Sequence, residues 1–289
     1  MTPPDGAVKR IGLVAKPDDP QRTRIAAFVV DHLRQATDVK IFAPPDLAKQ
    51  FPEGRVHSLT PERWAVDAVV TVGGDGTILW TLQHANAPVL GINFGELGFL
   101  TEIEPIELVD GLDRLLKREY RLEHRMRVAS RLSGRALPDA LNEVVVKTPR
   151  PAKILRFQVF QNGEELMSVK ADGIIVSTPT GSTSYGMSAG GPIVDPRLEA
   201  IVIVPLAAFR LASRPIVLPP DVEVSIRLKE REKDAVVVVD GQYETEMTKD
   251  DTLSVTRSAH AAQFIRYRGG FYGRLRERLG LMGETPMGR

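Results

Sequence analysis

Gly73-Gly74-Asp75-Gly76-Thr77 sets an acid inside a glycine-rich turn, between the apolar stretch Ala68-Val69-Val70-Thr71-Val72 and the run Ile78-Leu79-Trp80-Thr81-Leu82. The first stretch reads as a short buried strand and the second as the opening of a helix. Glycines at such a turn free the backbone to expose its N–H groups. The helix N-terminus that follows adds partial positive charge, which suits phosphate. Gly73, Gly74, Gly76 and Thr77 therefore predict a phosphate loop. Asp75 would repel a phosphate, so it is better explained as a base, or as a partner for a sugar hydroxyl or a metal ion. Nucleotide phosphoryl chemistry is the leading expectation, and a tight strand–helix turn with a capping aspartate is the plainer one. Two better-known loops are excluded. Leu79 stands where G-x-G-x-x-G needs its last glycine, and Gly-Lys-Ser/Thr occurs nowhere.

A second region crowded with hydroxyls and glycines runs from Asp172 to Pro192, after a strand expected to end near Val176. Its backbone N–H and hydroxyl groups suit a polar ligand, and Tyr185 can lie against a base. A solvated connection is the plain alternative, but long structureless loops inside compact domains are usually functional or disordered. Gly186-x-Ser188-x-Gly190 matches the nucleophile-elbow pattern of α/β-hydrolases. That elbow must follow a strand directly, and here the strand ends about ten residues earlier. A hydrolase is therefore set aside.

Composition narrows the rest. The 289 residues, 43% hydrophobic, can bury one large core or two modest ones, and two domains are expected. With 38 basic against 37 acidic residues the net charge is +1, which argues against a nucleic-acid surface as the main business. The absence of cysteine excludes disulfides and thiolate chemistry. The five histidines (His32, His57, His84, His124, His260) have no zinc-binding spacing, so no protein-held metal is assigned. No apolar run approaches a membrane span and the N-terminus lacks a signal-like core, so a cytoplasmic protein without membrane contact is expected.

The positioning elements alternate at first. Strands are expected at Ile11–Ala15, Val39–Phe42, Ala68–Val72 and Val89–Ile92. Helices are expected from Asp19-Pro20 to about Gln35, over 76–86, and from Pro105 to about Glu119. Ile106, Leu108, Val109, Leu112, Leu115 and Leu116 mark the apolar face of the last. Such alternation predicts a parallel sheet covered by helices. Near residue 125 the apolar period falls to two: Leu155, Phe157 and Val159 lead into the hairpin signal Asn162-Gly163, and Val222 to Leu228 alternate likewise. Val236–Val239 and Leu253/Val255 are further strands. The expected fold is α/β: an N-terminal parallel α/β domain (1–124) with the GGDGT loop, and a C-terminal β-rich, sandwich-like domain (125–262). A basic helical tail (263–289) would pack back on the first.

These segments resemble one family. Gly73-Gly74-Asp75-Gly76-Thr77, Gly91 through Leu100, Asn142-Glu143, Asp172 through Pro192, Arg214-Pro215-Ile216-Val217 and Asp240-Gly241-Gln242 stand in the order found in NAD kinases. GGDG alone is shared with diacylglycerol-type lipid kinases and, more loosely, with phosphofructokinases. The combination with Ser177-Thr178-Pro179-Thr180-Gly181-Ser182-Thr183-x-Tyr185 and Ser188-Ala189-Gly190-Gly191-Pro192 is far more specific. The resemblance implies phosphorylation of NAD at the 2′-hydroxyl of its adenosine ribose, giving NADP. It implies ATP or polyphosphate as donor, Mg²⁺ or another divalent cation with it, and a homodimer or homotetramer. Asp75 would be the general base, with Gly76 beside it holding the dinucleotide. Asn142 and Glu143 would meet adenine and ribose groups. Lys153, Lys170, Asp172, Gln242 and Ala207 would contact NAD, and Thr183, Ser184, Tyr185, Gly186, Met187 and Ser188 would line the adenosine pocket. Where many relatives carry a proline–histidine pair, this chain reads Pro205-Leu206-Ala207-Ala208-Phe209, and it has Gly186 after the loop tyrosine. The competing functions are another GGDG-type kinase with a lipid or sugar acceptor, and a dinucleotide-binding regulator without turnover.

Overall fold

A computed structural model describes residues 8–16, 18–59, 64–94, 98–150, 153–209, 213–229, 234–268 and 270–279. The expectations for Gly95-Glu96-Leu97 and for the chain beyond Leu279 fall outside the described residues. Contacts divide the chain into two units, one from the residues up to His124 with those from Gln263 on, the other Arg125–Ala262.

The first unit is built on a seven-stranded sheet. Its strands are β1 (Arg10–Ala15), β2 (Lys40–Ala43), β3 (His57–Ser58), β4 (Ala68–Val72), β5 (Val89–Ile92) and β6 (Arg121–Arg125), with Ala262–Arg266 inserted between β5 and β6. The order is β3-β2-β1-β4-β5, and each neighbouring pair is parallel. All residues of β4 and β5 are buried, as apolar strands covered on both faces must be. Helix α1 (Pro20–Ala36) starts where Asp19 accepts hydrogen bonds from the N–H groups of Gln21 and Arg22, and buries Ala26, Val29, Val30 and Leu33. A short helix α2 (Pro45–Ala48) follows β2, α3 (Asp75–His84) follows β4, and α4 (Leu108–Leu116) follows β5. The chain turns to opposite sides of β1 to make β2 and β4. The carboxyl ends of β1 and β4 thus flank a topological switch point, the usual place for a ligand crevice in an open sheet.

One expected helix is corrected. Pro105–Glu107 form a 3₁₀ turn and the α-helix ends at Leu116, with Arg118 at φ 57°. Leu108, Leu112 and Leu115 face the core, but Ile106 is 90% exposed and Val109 51% exposed. The tighter 3₁₀ turn breaks the helical phase before Leu108, so Ile106 leaves the buried stripe.

The second unit holds two six-stranded sheets. Its strands are β7 (Val128–Leu132), β8 (Arg135–Ala136), β9 (Glu143–Lys147), β10 (Leu155–Gln161), β11 (Glu164–Ala171), β12 (Gly173–Ser177), β13 (Ile201–Leu206), β14 (Ile216–Leu218), β15 (Val224–Leu228), β16 (Ala235–Val239), β17 (Tyr243–Met247) and β18 (Leu253–Arg257). One sheet runs β11-β10-β15-β18-β7-β8 and the other β14-β13-β12-β9-β16-β17, with antiparallel pairing in both. Phe157, Val159 and Val224 from the first sheet and Val146, Ile174 and Val237 from the second share one buried cluster, so the sheets pack face to face. Asn162 and Gly163 take φ 49° and 88° in the β10–β11 turn, as a two-residue hairpin requires. The segment after β12 is less irregular than its composition suggests. It holds a 3₁₀ turn at Gly181–Thr183 and a one-turn helix α5 (Tyr185–Ser188).

Candidate functional site

In the first unit the glycine-rich turn leaves β4 at the switch point and enters α3 with Gly74 as N-cap. Gly73 is fixed by proximity: a Cβ there would lie 2.3 Å from Thr77 Oγ1. The N–H groups of Asp75 and Gly76, in the first turn of α3, have no carbonyl of their own helix to bond. The Asp75 carboxylate is bonded by a segment outside its own helix. Its Oδ2 accepts the Phe99 N–H at 3.0 Å and its Oδ1 the Leu100 N–H at 3.1 Å. The Arg278 guanidinium lies 3.7 Å from Oδ2 and 4.8 Å above the Phe99 ring. The Asp75 side chain is 28% exposed, so it is held in place without being sealed from a reactant.

The segment that holds Asp75 is built by backbone closeness. Glu102 N–H donates to Gly91 carbonyl at 2.8 Å, and a Cβ on Gly91 would meet Thr101 Cα at 3.0 Å. A Cβ on Gly98 would lie 2.1 Å from Asp75 Oδ1. Helix α6 (Phe271–Arg278) packs Phe271 against Phe99, with ring centroids 6.4 Å apart. The Glu102 side chain is fully buried and bonds Arg266 and Arg274 at 3.1 and 2.9 Å; Arg266 also bonds Glu123 at 2.6 Å. Sequence reasoning passes over Gly98, Glu102, Arg266, Arg274 and Arg278. Only Gly98, inside the Gly91–Leu100 motif, carries a signal.

In the second unit, three neighbouring strands bring the other group together at one sheet end. Register sets Glu143 opposite Ser177 and Val144 opposite Val239. Asp240, just past β16, accepts the N–H groups of Leu141, Asn142 and Glu143 at 2.7, 2.8 and 3.0 Å. Thr178 Oγ1 donates to Leu141 carbonyl and Ser177 Oγ to Asn142 carbonyl. Gly181 is obligatory here, since a Cβ would stand 2.1 Å from the Asn142 carbonyl oxygen. Gly191 lets its N–H reach Gly186 carbonyl at 2.8 Å, where a Cβ would crowd that oxygen at 2.7 Å. Ser184 Oγ donates to Glu143 Oε1 at 3.3 Å, while Glu143 Oε2 is buried and unpartnered.

This end of the sheet is electrostatically tense. Burial, reinforced by the nearby Asp240, pushes Glu143 up to about 8, with the Ser184 hydrogen bond opposing. Burial also raises Asp240, against its three backbone N–H bonds and Arg127. Burial lowers Arg127 in turn, opposed by Asp139 and Asp240. A carboxyl that titrates near neutrality beside Asn142 can accept or donate a hydrogen bond to a hydroxyl-rich ligand. Asp240 is a supporting group that sequence reasoning leaves without a role. Its signal is Asp240-Gly241 between two strands, which take φ 50° and 64° in the β16–β17 hairpin.

The remaining expected contacts fall into two places. Asn142, Glu143, the buried Thr183, the half-buried Ser184 and Met187, the exposed Tyr185 and Ser188, the buried Gly186 and the exposed Gln242 follow or flank the Ser177–Glu143–Asp240 end. Lys170 and Asp172 precede the opposite end of β12, where Gly173 pairs with Leu206 and Lys147. Ala207, at φ 46°, follows Leu206 there, and exposed Lys153 precedes β10, whose Leu155 pairs with Ala171. The four residues at this second end are separated from Glu143 by the length of a five-residue strand.

Residues 11–120 match the model of the ATP-NAD kinase N-terminal domain, and residues 141–267 that of the ATP-NAD kinase C-terminal domain. The NAD kinase of Methanothermobacter thermautotrophicus is 40% identical over 273 residues, 93% of this chain and 96% of that protein. That of Thermococcus gammatolerans is 39% identical over 275 residues, 93% and 98% of the two. Among solved structures, an NAD kinase from Archaeoglobus fulgidus in complex with ATP aligns with a TM-score of 0.75 at 30% identity, over 94% of this chain and 97% of that one. Yeast NADH kinase complexed with NADH shares the fold, with a TM-score of 0.90 at 23% identity over 98% and 90%. Matched in both halves and along nearly the whole length of its relatives, the chain belongs to the NAD kinase family, whose members are phosphotransferases.

Proposed function

We propose that the protein transfers a phosphoryl group from ATP to the 2′-hydroxyl of the adenosine ribose of NAD, with Asp75 as the general base. Family membership sets aside the lipid or sugar kinase and the non-catalytic regulator. The observation that carries the base assignment is the Asp75 carboxylate, fixed by two backbone N–H bonds beside a helix N-terminus at the sheet's switch point. Phosphoryl transfer asks a protein mainly for positioning and charge neutralisation. The N–H groups opening α3, which have no partner within their own helix, suit the donor's phosphates, and a fixed carboxylate beside them suits the proton of the attacking hydroxyl. Asn142, Glu143 and the Thr183–Ser188 turn supply the hydrogen-bonding groups for an adenosine, with Gln242 beside them.

A divalent cation such as Mg²⁺ fits this arrangement as a companion of the donor. Among the described residues no three His, Asp or Glu groups form a cation cage. Mg²⁺ is commonly held by phosphate oxygens, waters and one or two carboxylates, and Asp75 is the carboxylate at hand. When bound it would neutralise charge on the phosphates. Polyphosphate, with the same repeating phosphate oxygens, is a second donor of the same chemistry.

The test is NADP formation by native protein and Asp75→Asn with NAD or NADH and a donor panel of ATP, other nucleoside triphosphates and polyphosphate. Loss of a positioned base lowers turnover about 10²-fold or more. Near-native turnover in folded Asp75→Asn refutes the base assignment.

A further inference from the structure

The loop that holds Asp75 is gripped from the far end of the chain. Arg274 Nη1 donates to the carbonyls of Phe99 and Thr101 at 3.1 and 2.7 Å. Arg266 Nη1 donates to those of Leu100 and Thr101 at 2.9 and 3.2 Å. Three consecutive carbonyls thus point at guanidinium groups. The two N–H groups at the start of the same stretch point at Asp75. The Phe99–Leu100 peptide has Arg274 on its oxygen and Asp75 Oδ1 on its N–H, so one rigid amide spans the cation and the carboxylate. Hydrogen bonds in series polarise each other, and a cation on the carbonyl strengthens the N–H as a donor.

Stability alone is a poor account of this cluster. The Glu102 side chain has no exposure, and its Oε1 takes the N–H groups of Tyr267 and Arg268, both at 2.8 Å. Its Oε2 takes both guanidiniums. Burial, and the Arg266 guanidinium beside it, push the Arg274 pKa down despite the opposing Glu102. Buried ion clusters of this kind rarely exceed a well-packed apolar core in stabilisation. Apolar side chains, though, cannot fix the direction of a peptide N–H.

We propose that Arg274, seated by Glu102, is a positioning residue for phosphoryl transfer, acting on Asp75 through the Phe99–Leu100 peptide. Helix α6 is then part of the apparatus that sets the base. This rests on the reading of Asp75 as the base.

The test is a kinetic cycle in the full chain: native, Arg274→Met, Asp75→Asn and the double variant, with NADP formation followed at saturating ATP. Arg274→Met is expected to lower kcat about 30-fold while KM for NAD stays within about threefold, the pattern of a displaced reacting group. In the Asp75→Asn background the same change should lower kcat less than about threefold, because residues acting as a unit are not additive. Arg274→Lys keeps a charge for Glu102 but loses the planar fork to two carbonyls; it should melt like the native protein and still lose about tenfold in kcat. Exposed Arg276→Met, on the same helix, is the control at native rate. Equal losses in both backgrounds, or native kcat in Arg274→Lys, overturn the proposal. Should Arg274→Met not fold, Arg274→Lys in the two backgrounds decides by the same rule. Native turnover in Asp75→Asn alone overturns the base reading instead, a result separable from either outcome for Arg274.

Discussion

Gly98→Ala is the smallest change that reaches Asp75, the proposed base, because one methyl group enters the space its carboxylate occupies. Gly98 is not held at positive φ, so alanine meets no backbone penalty there and the effect is steric. The added carbon would lie 2.1 Å from Oδ1 and 3.0 Å from the Asp75 carboxyl carbon. Ordinary carbon–oxygen contact needs about 3.3 Å, so one partner must retreat by about 1 Å. The loop is the stiffer partner: its Phe99, Leu100 and Thr101 carbonyls are each bonded to Arg266 or Arg274. The carboxylate therefore yields, and its bonds to the Phe99 and Leu100 N–H groups, now 3.0 and 3.1 Å, stretch beyond hydrogen-bond range. Bonds to charged groups are worth about 1.5–3 kcal/mol each, which measures the hold on the carboxylate that is lost. A reacting group misplaced by about 1 Å loses roughly 10²-fold in rate. The assay is kcat for NADP formation at saturating NAD and ATP, read beside a urea unfolding curve. The expected result is a fall of about 10²-fold in kcat in a protein that still unfolds cooperatively. A folded Gly98→Ala variant within about threefold of native kcat would refute the argument that Asp75 must stay where these two N–H groups hold it.

Three further outcomes follow from the second unit. Gly181→Ala drives a Cβ to 2.1 Å from a backbone carbonyl oxygen and should destabilise by about 1–3 kcal/mol, whereas Gly186→Ala, whose nearest contact is 3.5 Å, should stay within about 0.5 kcal/mol; paired urea midpoints decide. Glu143 is raised to about 8 in the fold, so between its ordinary value of 4.5 and about 8 the folded state keeps a proton the unfolded chain has released. Stability should fall as pH rises through that window and level off above it, by at most about 1.4 kcal/mol per pH unit from this group. Asp240, also raised, adds a fall of the same sign, and Glu143→Gln should flatten the curve; an unchanged slope rules out the Glu143 contribution. Tyr185→Ala, removing a 40% exposed ring beside Ser184, should raise KM for NAD more than it lowers kcat, and a collapse of kcat at constant KM would move Tyr185 to the phosphoryl centre.

What the sequence disclosed is what short-range chemistry determines. Asp19-Pro20 announced a helix start because an N-cap and a proline act within one turn, and the helix begins at Pro20. Val89–Ile92 was legible as a strand because a continuous apolar run bounded by breakers has few other uses. Asp75 stands out because an acid among phosphate-type glycines conflicts with its neighbours, which makes it a candidate rather than a packing residue. Periodicity failed at Val109, which lies inside the helix but off the Leu108–Leu112–Leu115 stripe, and at Ile106. It reports which residues are apolar, while the 3₁₀ turn that shifts the phase is set by Glu104 and Glu107 closing a capping box around Pro105.

The groups that support the site were hidden for a different reason. Asp240 accepts N–H groups 97 to 99 residues away, and Arg274 reaches carbonyls 173 and 175 residues away. In sequence Arg274 is one of several arginines in a basic helix, indistinguishable from exposed Arg276, and only burial against Glu102 separates the two. A reactive group must sit in a local motif because its turn and helix terminus come from adjacent residues. The groups that orient it need only arrive at the right place in space, so any strand or helix can deliver them. The Asp75 end and the Glu143 end share this arrangement: a local motif carries the candidate side chain, and a distant charged side chain fixes the neighbouring backbone.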